Sequence, residues 1–523
     1  MLASARSDAS NRPRAARAGL RAGLVGVLAA ALLSCGGGGG IGPDPTGETL
    51  SHFVLTAAEV QSVVRHAAEA VDSRTMVIAV SDRAGNILAV FRKPGAPATA
   101  VGNFGSLVDA NELAVSLART AAFFSNDQAP LSSRTVRFIS GIHFPPGVSF
   151  TPNGALNGIE NTNRGCRLNV DFTPGKEVPP ARSINGASTG LGVATGKADL
   201  DDSDPDAVNP GGVPLFKEGR LVGGVGVAGV PPAVAEFAAF SGAVGAGFGP
   251  TPAPPGLVII DGIALPFVSQ TTRPSGVGLG TFVGSFLVGP LGSLGPVPEG
   301  DLVAPRAGLV GGLTATEVRQ VIDQAVATAN QTRAVIRLPI GSRTRMVIAV
   351  ADLDGTILGL HRMPDSTVFS IDVAVAKARN MAYFSSPARS PFDLPDVPLR
   401  TAVTNRTISF GAQPLYPPGI DGTALGPFFD LYQLDTANPC TQGVQPLNPN
   451  RNGVVFFPGS VPIYKNGVLV GGLGISGDGV EQDDFVADGG SRGFEAPVGI
   501  RADQIFVRGV RLPYLKFPRN PTD

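Results

Sequence analysis

Apolar residues recur with two different periods along this chain, and each change of period marks a boundary. Val60, Val63, Val64, Ala67, Ala68 and Val71 fall at helical spacing, which predicts an amphipathic helix with one buried stripe. Thr56 precedes the stripe with Glu59 three residues on, a capping-box pattern that fixes where the helix begins. Apolar, β-branched runs at 76–80 and 87–91 then flank a Ser-Asp-Arg-Ala-Gly-Asn turn and read as a hairpin. Residues 110–124, rich in Ala and Leu, predict a second helix. The stretch 125–210 is rich in Gly, Pro, Asn and Asp with few periodic runs, so long irregular loops are expected there. Another hairpin follows at 213–216 and 221–227 around Glu218-Gly219, a tight-turn dipeptide. Residues 231–245 then close the unit as a helix weakened by its glycines.

The same order returns later in the chain. LTAAEV at 55–60 pairs with LTATEV at 313–318, and MVIAVSDRAGNIL at 76–88 with MVIAVADLDGTIL at 346–358. VPLFKEGRLVGGVGVAG at 213–229 pairs with VPIYKNGVLVGGLGISG at 461–477, and IIDGIALPF at 259–267 with FVRGVRLPY at 506–514. Each copy spans roughly 200 residues, the size of a domain and far longer than a solenoid repeat. Two tandem modules are therefore expected, at 51–268 and 309–523, joined by a Gly- and Pro-rich linker at 269–308. The second copy carries an extra segment at 334–345. Helix, hairpin, helix, loop and hairpin predict an α/β (α+β) class, each module with a mainly antiparallel sheet flanked by helices.

Composition narrows the function. With 523 residues, 43% hydrophobic and 16% charged, the chain can bury two substantial cores. Its 41 basic and 42 acidic side chains nearly cancel, which gives no electrostatic reason to expect a nucleic-acid partner. The N-terminus decides the expected compartment. Arg6, Arg12, Arg14, Arg17 and Arg21 precede an apolar run at 22–33 that is too short for a permanent membrane span. It ends in Leu32-Leu33-Ser34-Cys35, which resembles a bacterial lipobox. Residues 1–35 thus read as a lipoprotein signal peptide with Cys35 as the lipidated residue, and 36–50 as a Gly-rich tether. The expected location is an exported, membrane-anchored lipoprotein of the cell envelope, on the periplasmic side of the outer membrane or at the cell surface. The lipid would be its sole membrane attachment.

An exported chain is disulfide-permissive. Cys166 lies 19 residues after Gly147 and Cys440 lies 21 after Gly419, similar places in the two copies. Two modules packed about a pseudo-twofold axis would bring such loops together. An inter-module disulfide between Cys166 and Cys440 and a pair of free thiols both remain open.

The segments LTATEVRQVIDQAV, MVIAVADLDGTILGLHRM, SIDVAVAKARNMAYFSS and VPIYKNGVLVGGLGISGDGVEQDD, in that order, resemble the GlcG/HbpS-like family of haem-binding and putatively haem-degrading domains. The first copy is more diverged. It has Phe91 where the second has His361, Leu117 where the second has Lys377, and no Glu-Gln-Asp-Asp run. The resemblance implies a three-layer profilin-like module, five antiparallel strands with helices on both faces, that self-associates; here the duplication would supply a covalent pseudo-dimer. It also implies haem or a related tetrapyrrole as ligand, for sensing, storage or scavenging. The shared fold does not by itself fix an activity.

Haem needs an apolar slot, an axial donor and a cation for its propionates. His361, Arg362 and Met363 offer an imidazole, a guanidinium and a thioether in one short segment, against the plainer reading of a surface histidine at a strand end. His66 on the first helix is the other axial candidate. Lys377 and Arg379 on the second helix are candidate propionate partners, or an ordinary polar helix face. Asp478, Glu481, Gln482, Asp483 and Asp484 read as the acidic first turn of the closing helix. Gly472-Leu-Gly474-Ile-Ser-Gly477 satisfies GxGxxG, but on the return strand of a hairpin it reads as close backbone packing and not as a dinucleotide loop. No HExxH or paired CxxC motif occurs, so no conventional zinc catalysis is expected. The alternative to a tetrapyrrole binder is a cofactor-free envelope assembly protein.

Overall fold

The computed structural model describes residues 54–102, 106–140, 210–250, 258–260, 263–265, 267–293, 295–413, 415–417, 424–437, 441–446, 448 and 450–523. Cys35, Cys166 and Cys440 lie outside the described residues, as do the leader, the tether and most of the first long loop.

The first module opens with α1 (Ala57–Ala70), then β1 (Val77–Asp82) and β2 (Ile87–Arg92), a small hairpin of β3 (Thr99–Gly102) and β4 (Ser106–Asp109), and α2 (Ala110–Phe124). It continues with α3 (Ser133–Ser140), β5 (Gly212–Lys217), β6 (Arg220–Ala228), α4 (Pro232–Gly245), the short pair β7 (Val258–Ile260) and β8 (Ile263–Leu265), and β9 (Ser285–Val288). The second module runs β10 (Gly300–Val303), α5 (Ala315–Ala329), β11 (Val347–Ala351), β12 (Ile357–Arg362) and α6 (Phe369–Phe384). There follow α7 (Asn405–Gly411), α8 (Phe429–Ala437), β13 (Ser460–Lys465), β14 (Val468–Ser476), α9 (Val480–Gly490) and a final pair, β15 (Phe506–Val507) and β16 (Val510–Arg511).

Local chemistry explains the element ends. Thr56 and Thr314 each accept the amide of the residue three on, and Glu59 and Glu317 return the bond to the cap amide, so the free N–H groups at both helix starts find partners. Glu218-Gly219 and Asn466-Gly467 take positive φ at both turn positions, the geometry that lets a two-residue turn match the strand twist.

Both sheets are five-stranded and antiparallel with the same layout. The first runs β5-β6-β1-β2-β9 and the second β13-β14-β11-β12-β10. Residues 269–308, expected as a linker, thus supply the outer strand of each sheet. Alternate residues of β1 serve opposite cores. Ile78 and Val80 pack with α1 and α4, while Val77 and Ala79 pack with α2. The second sheet repeats this, with α5 and α9 over one face and α6 over the other. The result is a helix–sheet–helix sandwich twice over.

A separate apolar cluster joins the modules. Phe123, Phe124, Leu131 and Val136 of the first pack with Ile336, Phe369, Val373 and Phe457 of the second, and the Phe124 and Phe369 rings stack with centroids 4.1 Å apart. Val368 donates its amide to the Phe123 carbonyl at 3.1 Å. Arg83 reaches Asp365 at 2.6 Å, and Arg337 reaches the same carboxylate at 2.7 Å. Burying one such apolar side chain contributes about 1.5–3 kcal/mol, whereas the attraction within a largely buried ion pair is offset by the cost of stripping water from both charges. The apolar cluster is therefore the main adhesive. The two sides of this contact are not equivalent. The first module gives the end of α2 and the β1–β2 turn; the second gives the start of α6, the turn after β12 and the extra segment. The twofold packing expected from the duplication is replaced by a head-to-tail contact, because an isologous one would use the same patch on both sides.

Candidate functional site

His361 and Arg362 are neighbours in sequence but face apart. On β11 their cross-strand partners are Ile348 and Val347, which belong to opposite cores, as strand alternation requires. His361 lies on the α5 side with its side chain one-fifth exposed. Its Nδ1 sits 2.8 Å from Asp301 on the neighbouring β10. A carboxylate only accepts, so Nδ1 carries a proton, and in the neutral ring Nε2 is the nitrogen left as acceptor. Arg319 from α5 bonds the same carboxylate. Burial alone would raise the Asp301 pKa, but the bonds from Arg319 and His361 hold it below the usual carboxylate value.

The other expected ligands are used internally. Arg362 is buried and donates to the carbonyls of Ser366 and Pro298; burial, helped by nearby Arg83, brings it down to about 10. Met363 is in the apolar core. His66 donates Nδ1–H to the Ser62 carbonyl at 2.9 Å, and a Cβ at Gly245 would crowd its ring, so it fills the seam between α1 and α4. Arg379 clamps the hairpin turn by donating to the Gly355 carbonyl at 2.9 Å, as Arg119 does to Gly85 in the first module. The structure does not bring His361, Arg362, Met363, Lys377 and Arg379 to one place, and His66 is in the other module.

Lys377 is fully buried under α6. It donates to the Ile475 carbonyl at 2.7 Å and to Asp483 at 3.0 Å, and its ammonium lies 4.7 Å from the centre of the Phe457 ring. Asp484 beside it takes Arg406 and the Gly459 amide, and Asp478 takes Arg337 and the Arg345 amide. The acidic run does open α9 as expected, but Asp478, Asp483 and Asp484 are buried and form an ionic floor. Loss of water pushes the Asp483 carboxyl up to about 7 against the pull of Lys377, and pushes Lys377 down.

The first module keeps one ion pair of this floor and has apolar residues in place of the others. Arg134 pairs with Glu236 at 2.7 Å as Arg406 pairs with Asp484, and Gly211 abuts Ala235 as Gly459 abuts Asp483. These matches align Leu117 with Lys377, Ala235 with Asp483 and Val230 with Asp478. Where the second module has its buried pair, the first has an apolar cavity of about 500 Å³ between α2, the end of β6, the start of α4 and the β3 edge. Leu113, Leu117, Val227, Val230, Pro232 and Ala235 are among its walls, and among the described lining residues Thr99 alone has a polar side chain.

Asp301 and Arg319 were missed in the sequence because β10 lies in a segment without strand periodicity. The cavity did leave a trace there, as the first copy's loss of the lysine and the acidic run. Among the described residues, no group of three or more His, Cys, Asp or Glu side chains is placed to hold a metal ion.

Residues 313–491 match the family described as haem degrading protein HbpS-like. That covers the second module from the start of α5 to the end of α9. Two crystal structures are similar over parts of the chain. One is protein ORFY of Klebsiella pneumoniae, family-model DUF336, with 21% identity over 35% of this chain and 90% of that one, at a TM-score of 0.23. The other is a PduOC:heme complex with 25% identity over 35% of this chain and 96% of that one, also at a TM-score of 0.23. No curated protein matches the chain.

Proposed function

We propose that the second module binds haem or a related metallated tetrapyrrole at its surface, with His361 as axial donor. The observation that carries this is the Asp301-bound imidazole. A ligating histidine commonly donates its second ring N–H to a carboxylate, which fixes the tautomer and raises ligand basicity, and His361 is already held that way. The donor and the nearby Arg319 guanidinium fit such a ligand; Arg362 faces the other side of the sheet, Met363 is sealed in the apolar core, and Lys377 and Arg379 are occupied elsewhere. The bound group would supply the redox and gas-binding chemistry of its metal. The chain's own part is to orient the ring so that Nε2 is the nitrogen turned to the ligand. The match of 313–491 to a family described by haem degradation supports the ligand class.

The Arg-rich leader, the short apolar run and Cys35 support export and lipid anchoring. Cys35→Ala would leave the protein in the soluble fraction after cell lysis; retention in the membrane fraction would refute the anchor.

Haemin titration of the full chain tests the ligand. One saturable Soret shift is expected, abolished in His361→Ala, weakened about 10–100-fold in Asp301→Asn, and unchanged in His66→Ala. Equal binding in His361→Ala would move the site elsewhere. No shift beyond that of an unrelated protein would favour the envelope-assembly reading.

A further inference from the structure

We infer that the first module's cavity is a second ligand site, for an uncharged molecule carrying an aromatic or alicyclic ring, independent of His361. Its volume of about 500 Å³ falls in the range of small-molecule pockets, roughly 300–1,000 Å³. The walls set the charge. A charged ligand would be stripped of water opposite Leu117, Ala235 and Val230 with no counter-ion in the described lining, a cost that apolar walls cannot offset. The second module has Lys377, Asp483 and Asp478 at these three places, each with a charged partner.

The second module also shows what this face accepts. Its counterparts of the lining residues Leu113 and Pro232 are Val373 and Val480. They pack in one cluster with Phe124 from the other module and with Ile336 of the extra segment. There an aromatic ring and a branched aliphatic group cover the face, and Arg337 caps it by pairing with Asp478. The extra segment has no equivalent in the first copy. In its place the β3–β4 hairpin contributes Thr99, Ala100 and Val101 to the wall, and Val101 and Leu107 stand 60% and 70% exposed at the rim. The same face, filled by the protein's own rings in one copy, is available to a ring from outside in the other.

The test is a fluorescence titration of the full chain with the neutral probe N-phenyl-1-naphthylamine. One saturable site is expected, with at least tenfold weaker binding of the anionic 8-anilino-1-naphthalenesulfonate. Leu117→Lys should reduce neutral-probe binding by more than tenfold. Val101→Trp, at an exposed position whose change leaves the core untouched, should do the same by occupying the mouth. Each variant's melting curve confirms folding. His361→Ala should leave probe binding unchanged, so that failure of the haem reading and failure of this one are separable. Absence of saturable binding, or undiminished binding in folded Val101→Trp, would overturn the site. Equal affinity for the two probes would overturn the charge argument.

Discussion

Lys377 sits where water does not reach, and its partner Asp483 is equally sealed. Removing one member of a buried pair leaves the other uncompensated, a loss of about 3–5 kcal/mol, whereas replacing both with apolar groups is often close to neutral. Lys377→Leu alone should therefore destabilise strongly, and Lys377→Leu/Asp483→Ala, the first module's own pairing of residues, should recover most of the loss in denaturant unfolding. The pH dependence follows from the raised Asp483 value. Its unfolded carboxyl titrates near 3.8 and the folded one at about 7, so the folded state holds the extra proton between these values. Asp483 thus favours folding most below pH 3.8, and the contribution is lost as pH rises through 7. Asp483→Asn should flatten that part of the stability profile. The sequence flagged His361 and Lys377 from residue type and resemblance, but not their surroundings. His361-Arg362-Met363 looked like one ligand set because adjacency in a string hides both the alternation that sends Arg362 to the opposite face and the packing that takes Met363 into the core.

At the level of elements, the glycines of β6 and β14 bring helix and sheet into contact. A Cβ at Gly224 or Gly226 would overlap the carbonyl oxygens of Ala118 or Ala114 on α2, and one at Gly472 or Gly474 those of Ala378 or Ala374 on α6. The repeated GxGxxG is thus a packing motif, as its place on a return strand implied. Gly474→Ala should force α6 off the sheet and cost about 1–3 kcal/mol, read as a lowered melting temperature; an unchanged melt would show that the helix moves freely. Capped helices and tight hairpins were legible because each rests on a few neighbouring residues, such as Thr314 with Glu317. The outer strands β9 and β10 were not. Their short segments pair with β2 and β12, and that distant partner makes them strands, a cause absent from local periodicity.

For the whole molecule, the contact between the modules sets cooperativity. Phe124→Ala removes the ring stacked on Phe369 and should cost on the order of 3–5 kcal/mol, splitting one calorimetric transition into two. Asp365 adds a pH dependence of its own. Burial would raise it, but Arg83 and Arg337 prevail and hold it below the usual value. Its contribution is complete above pH 3.8 and is lost as pH falls through the depressed folded value. Acid should loosen the contact, and Asp365→Asn should remove that acid dependence along with some neutral-pH stability. The two-module plan was readable from the repeat alone; which faces would meet was not, since that depended on the extra segment at 334–345 and on Phe124 having a counterpart surface only in the other copy.

The head-to-tail contact makes the covalent joining of the two copies matter. Joined in one chain, the docking faces meet at a high effective concentration, so neither has to recruit a free partner, and each can drift under its own selection. Residues 313–491, in the copy whose face is covered by the other module, match the family described as haem degrading protein HbpS-like, while in the first copy the described residues at that place line an apolar cavity. Cutting the chain between the copies would leave the same docking faces, yet they would then meet only at the concentration of the free parts.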